Sequence, residues 1–233
     1  MNTLRSFLGC RYVLSPKQYA ETTQQSLDEV SGWTRIPDQG AYAIWENENA
    51  LPIGFAVDYS MPLQEFNALS DESQIGILLR AVVLDEQQQQ QYSHIAPILD
   101  YELQSQREDL FWQDVANRKA EGLQDVWTDA SGFGGTISLD KDKFVVFTVP
   151  YDTGFTAYVN DQPTEVLKVD NGMIAIVCPQ GTNEIRFEYK TPLFGLSCLI
   201  ALLAWIVFIG YLILSNQKKK RPKSTAFRYR AAK

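Results

Sequence analysis

The sequence predicts an α+β extracellular region that ends in an antiparallel β-sandwich and is followed by one C-terminal transmembrane helix. Three observations predict it: an uncharged and mostly apolar run at residues 193–214, a succession of Val-, Ile-, Phe- and Tyr-rich segments separated by turn residues over 144–189, and helix-like apolar spacing in the middle of the chain. Of the 233 residues 45% are hydrophobic and 12% aromatic, ample for a core, so disorder is excluded as the main state. The expected organisation is a mixed α/β region at 1–135, the sandwich at 136–192, the span at 193–214 and a basic tail at 215–233.

In chain order, the opening MNTLRSFLGCRYVLS lacks a basic leader followed by about 7–15 apolar residues. FLGCRYVLS reads as an internal strand whose partners lie earlier. An exported region without a leader is in turn expected to follow further spans. Residues 53–59 read as a buried strand. Pro62 then opens a short helix through Leu63, Phe66 and Leu69, which Ser70-Asp71-Glu72 closes and restarts. Ile75, Leu78, Leu79 and Val82 follow the i, i+3, i+4, i+7 spacing of an amphipathic helix. The glutamine run at 87–91 reads as a solvated loop, with Gln89 exposed, and 107–119 as a helix. ASGFGGT at 130–136 is expected to be a link, since it lacks the Lys and Ser or Thr of a phosphate-binding loop. Strands are then expected at 144–149, 155–160, 165–169, 173–178 and 183–189, with Pro, Asn and Gly between them. In the last, Ile185, Phe187 and Tyr189 alternate with Arg186, Glu188 and Lys190, so one face is buried and the other wet. Only Thr191 and Pro192 separate that strand from the span, a linker short enough to hold the sandwich near the bilayer.

Charge orients the span. All 28 acidic residues and 13 of the 21 basic ones precede it, a net −15, whereas Lys218, Lys219, Lys220, Arg221, Lys223, Arg228, Arg230 and Lys233 give the tail +8. Basic residues are retained on the cytoplasmic side, which puts residues 1–192 outside. The lipid bilayer is the expected partner. The same tail carries no nucleic-acid reading, because it directly follows a span.

Cysteine and histidine usage excludes common chemistries. Cys198 lies in the span, so Cys10 and Cys178 are the only candidates for an external disulfide, and their pairing is left open. With His94 the single histidine, neither a His-ligated zinc nor a Ser-His-Asp triad is expected. No metal and no cofactor is assigned. The acid pairs Asp71-Glu72 and Glu108-Asp109 fit helix N-termini better than glycosidase chemistry.

FLGCRYVLS, NENALPIGFAVDYSMPLQEFNAL and VPYDTGFTAYVNDQPTEVLKVDNGMIAIVCPQGTNEIRFEYKTP, with the adjoining span, resemble the C-terminal extracellular region of the YfhO family, large bacterial membrane proteins of the GT-C type. The PYD-x-G-[W/F] segment is the most specific part, with Phe155 where the family commonly has Trp. The resemblance implies sugar transfer from a polyprenyl-phosphate donor to envelope polymers such as teichoic acids, and a parent with about a dozen preceding spans. It also implies that the catalytic acid lies in an early loop absent here, so no catalytic residue is carried over and the chain alone is expected to be inactive. Two readings stand: the extracellular accessory domain and anchor of such a glycosyltransferase, or a non-enzymatic, membrane-anchored sandwich that binds envelope polysaccharide. Candidates for sugar contact are Tyr151, Asp152, Phe155 and Tyr158. Against that, Phe155 and Tyr158 follow a strand pattern that suits a core, and Asp152 suits a turn.

Overall fold

A computed structural model describes residues 2–28, 32–100 and 108–219. They form two compact units, Met1–Lys190 and Thr191–Lys233.

Two antiparallel sheets dominate the first unit. Strands β7 (Gln124–Thr128), β8 (Gly132–Leu139), β10 (Phe155–Val159), β11 (Gln162–Thr164) and β14 (Gly181–Tyr189) form a five-stranded sheet in the order β11-β10-β14-β8-β7. Strands β4 (Gly54–Val57), β9 (Lys143–Pro150), β12 (Leu167–Val169) and β13 (Met173–Cys178) form a four-stranded sheet in the order β12-β13-β9-β4. The two share one apolar core: Val145, Phe147, Ile174 and Ile176 of the second meet Phe133, Ile137, Ile185 and Phe187 of the first. At its centre Phe133 and Phe187 stack at 4.7 Å, and Phe147 meets Phe187 edge-on at 4.8 Å.

The second sheet is buried on both sides, which explains its sequence. Its far face, with Phe55, Val57, Phe144, Val146 and Ala175, packs against Phe7 of α1 (Asn2–Phe7) and Val115 of α6 (Glu108–Ala120). A strand covered on two faces reads as a continuous apolar run, as in Phe144-Val145-Val146-Phe147, whereas β14 has one wet face and alternates.

A three-stranded antiparallel sheet, β1-β3-β2, joins β1 (Tyr12–Pro16), β2 (Trp33–Gln39) and β3 (Tyr42–Asn47). Here α2 (Ala20–Asp28) covers Trp45 through Ala20 and Leu27. The opening segment therefore differs from its expectation. Residues 2–7 are helical, and β1 pairs with β3, a later partner, in the register Val13 opposite Trp45.

Three further readings are corrected. The helix expected through Val82 stops early: α4 (Asp71–Ile77), capped by Ser70, gives way to β6 (Ala81–Leu84). This strand lies parallel to β5 (Tyr59–Pro62). All four residues of β6 are buried, and a β-branched run flanked by apolar neighbours favours a strand over continued helical periodicity. The glutamine run is helical in α5 (Glu86–Tyr92), because Asp85 and Gln88 form a reciprocal capping box that its composition conceals. Gln89 is half-buried and donates to Ser60 Oγ at 3.0 Å. The glycine-rich segment belongs to β8, whose span covers the expected boundary at 136. A Cβ at Gly135 would lie 2.5 Å from the Gln124 carbonyl, so glycine there lets β7 approach. The strand expected at 53–59 divides into β4 and β5, which belong to different sheets, whereas Pro62 precedes α3 (Leu63–Asn67) and Asp71 and Glu108 open their helices as expected.

The second unit contains α7 (Phe194–Lys219), 26 residues and about 39 Å long at 1.5 Å per residue, enough to cross a hydrocarbon core of about 30 Å. Its stretch Phe194–Asn216 is long and apolar enough to span a membrane. Leu199, Leu203, Ile206 and Phe208 are all exposed, so the helix presents an apolar surface around its whole circumference.

Candidate functional site

The PYDTGF segment forms the turn from β9 into β10. Asp152 Oδ1 accepts the Gly154 N–H at 2.7 Å and the Asp152 carbonyl accepts the Phe155 N–H at 3.2 Å, so this carboxylate closes an Asx turn. The Gly154 carbonyl accepts the Lys190 N–H at 3.0 Å, and a Cβ at Gly154 would stand 2.5 Å from the Lys190 carbonyl. Tyr151 remains 36% exposed, with its backbone N–H donating to the Gly172 carbonyl at 2.7 Å.

Strand alternation separates the four sugar-contact candidates. Phe155 points into the inter-sheet core, within 6.2 Å of the Phe133 and Phe187 rings. Tyr158 lies on the opposite, outer face of the sheet, so the four do not converge on one site.

That outer face carries a row of partners running across the strands. Pro163 of β11 pairs with Tyr158, Tyr158 with Arg186 of β14, Arg186 with Gly134 of β8, and Gly134 with Trp127 of β7. The Arg186 guanidinium lies 4.1 Å from the centre of the Tyr158 ring, a cation–π contact, and is paired with Glu188 and, at 3.6 Å, with Asp161. Indole atoms of Trp127 fill the space over Gly134, where a Cβ would come within 2.7 Å of them. Over a third of Trp127 stays open to solvent. Trp127 and Arg186 escaped the sequence reading because neither belongs to the PYDTG segment. Alternation had placed Arg186 and Glu188 on the wet face, but pairing across four strands cannot be read from one of them.

A second polar feature lies inside the unit. Lys143, nearly buried, reaches Glu121 at 2.7 Å, Asp58 at 2.8 Å and Asp140 at 2.9 Å. Arg118 of α6, equally buried, bonds Asp58 at 2.6 Å and the Ala56 carbonyl at 2.7 Å. Burial alone would raise the Asp58 carboxyl, but hydrogen bonds from Lys143 and Arg118 outweigh it and hold the group below the usual carboxylate range. Arg80 meets Asp114 at 2.6 Å beside a cleft of about 190 Å³. Each of these cations faces a carboxylate, and the arrangement fastens α6 to β4 and β9.

Asp170, in the Asp170-Asn171-Gly172 turn, is buried on a cleft of about 270 Å³. Its Oδ1 accepts the Val83 N–H at 2.7 Å, and Oδ2 has no partner. Burial pushes its pKa to about 7. Among the described residues no group of three or more His, Cys, Asp or Glu is placed to hold a metal ion. Cys10 is exposed and Cys178 buried, both as free thiols.

Residues 96–201 match the family model described as bacterial membrane protein YfhO. A Bacillus subtilis (strain 168) protein, named as the uncharacterized protein YfhO, is 27% identical over 86 residues, which cover 37% of this chain and 9% of that protein. No solved structure matches.

Proposed function

From the family match over residues 96–201, we propose that the chain is a member of the YfhO family of bacterial membrane proteins and is the C-terminal extracellular accessory domain and membrane anchor of a YfhO-like glycosyltransferase acting on envelope polymers of the teichoic acid type. The observation that carries this reading is the extent of the family match. It runs from residue 96 through the five-stranded sheet and through β9, β12 and β13 of the four-stranded one, and reaches the first turns of α7, ending at residue 201. The +8 tail beyond the helix supports an orientation with the sheets outside.

In this role the chain supplies position rather than chemistry. Asp152, the one carboxylate among the sugar-contact candidates, is engaged in its own turn, and Lys143, Arg118 and Asp58 are engaged with one another. Deleting the region that encodes this chain in the source bacterium is expected to lower the sugar content released from purified envelope polymers. Unchanged glycosylation would reject the reading.

A second reading, a non-enzymatic membrane-anchored module that binds envelope polysaccharide, is favoured by the Tyr158–Arg186–Trp127 face. It predicts saccharide binding without turnover by the purified chain.

A further inference from the structure

We infer that the outer face of the five-stranded sheet binds a neutral glycan chain of several sugar units, laid across the strands along the row from Tyr158 to Trp127. The inference rests on the saccharide reading above and adds to it the class of glycan and the residues that hold it. Neighbouring strands lie about 4.8 Å apart, so Tyr158 and Trp127 are anchored three steps, roughly 14 Å, apart, and with the indole lying over Gly134 the rings stand about two steps, roughly 10 Å, apart, a span suited to more than one sugar. Gly134 keeps the floor between them low, and the indole of Trp127 settles over it. Tyr158, on the side that Arg186 does not cover, and Trp127, on the side turned away from Gly134, present apolar ring surface to the C–H surfaces of pyranose rings, which expose apolar and polar sides as the aromatic residues do. Arg186 donates and Glu188 accepts on the same face, matching the mixed hydrogen-bonding character of sugar hydroxyls.

Charge selects the neutral class. Arg186 is already opposed by Glu188 and Asp161, and Glu184 and Lys190 are exposed on the same side of β14, giving three carboxylates against two cations. This face belongs to a region with a net charge of −15 before the span. A phosphate-rich polymer approaching it is repelled, whereas an uncharged chain is not.

The test uses the full chain in lipid nanodiscs, titrated with cellohexaose, maltohexaose and chitohexaose as neutral probes and with poly(glycerol phosphate) as the anionic one, followed by calorimetry. At least one neutral probe is expected to bind with a Kd of roughly 0.1–1 mM. Trp127→Ala and Tyr158→Ala are each expected to weaken it by about tenfold, while circular dichroism melts stay close to wild type because both side chains are partly exposed. Neutral-probe binding that survives both aromatic substitutions would overturn the assignment of this face while leaving the saccharide reading intact. Tighter binding of poly(glycerol phosphate) would overturn the charge argument. Absence of binding to every probe would overturn both, and self-association lost in Trp127→Ala would give the face to a second copy of the chain instead.

Discussion

Asp170 places a carboxylate inside the protein with only one of its oxygens bonded. Its folded pKa of about 7 exceeds the ordinary 3.8. The native state therefore holds a proton that the unfolded chain releases, and this group's contribution is complete below pH 3.8 and is lost as pH rises through about 7. Asp170→Asn keeps a residue that tolerates the φ of 50° found here and removes the charge. It is expected to stabilise the protein at pH 8 by about 1–3 kcal/mol and to flatten the stability profile between pH 5 and 8, measured by urea denaturation at each pH. Asp58 has the opposite sign. Its lowered pKa makes its contribution present above the ordinary carboxylate value and lost as pH falls through the folded one. Lys143→Met removes the cation shared by Asp58, Glu121 and Asp140. The expected loss is about 3 kcal/mol at pH 7, seen as a lower urea midpoint and reduced on acidification as the orphaned carboxylates take up protons.

Elements here are set by their ends and by close approaches. In α5, Asp85 accepts the Gln88 N–H at 2.8 Å while the Gln88 side chain accepts the Asp85 N–H at 3.0 Å. Gln88 also donates to the Lys168 carbonyl of β12 at 3.1 Å, so the cap ties the helix to the four-stranded sheet. Asp85→Ala is expected to lower stability by about 1 kcal/mol, with faster amide exchange in α5 than in β9. In β8 the constraint is steric: a side chain at Gly135 meets the Gln124 carbonyl and Leu123. Gly135→Val is expected to lower stability by about 3 kcal/mol and to loosen β7, read as increased proteolysis between residues 124 and 128.

At the scale of the whole molecule, the opposite charges flanking α7 imply one orientation. In intact cells, the exposed native Cys10 is expected to react with a membrane-impermeant thiol reagent. In a Cys10→Ser background, Gln87→Cys, on the exposed side of α5, is expected to react and Ser224→Cys in the tail to be protected until the membrane is permeabilised. The reverse pattern would place the sheets in the cytoplasm and remove the basis for contact with envelope glycans.

The sequence alone determined the features governed by local composition. The membrane helix follows from 22 uncharged, mostly apolar residues, and the terminal strands from β-branched and aromatic runs between obligate turn residues, because both signals are contained within one segment. Asp152 as a turn former was legible for the same reason, since an Asx turn is made within a few residues. Tertiary structure decided what depends on partners distant in the chain. β4 joins β9 across some ninety residues, β1 finds β3, and the tract Ala81–Leu84 becomes a strand because β5 lies beside it and apolar neighbours bury it on both sides. The candidate face was illegible for that reason: Trp127, Gly134, Tyr158 and Arg186 sit on four different strands, and only pairing between strands sets them in one row.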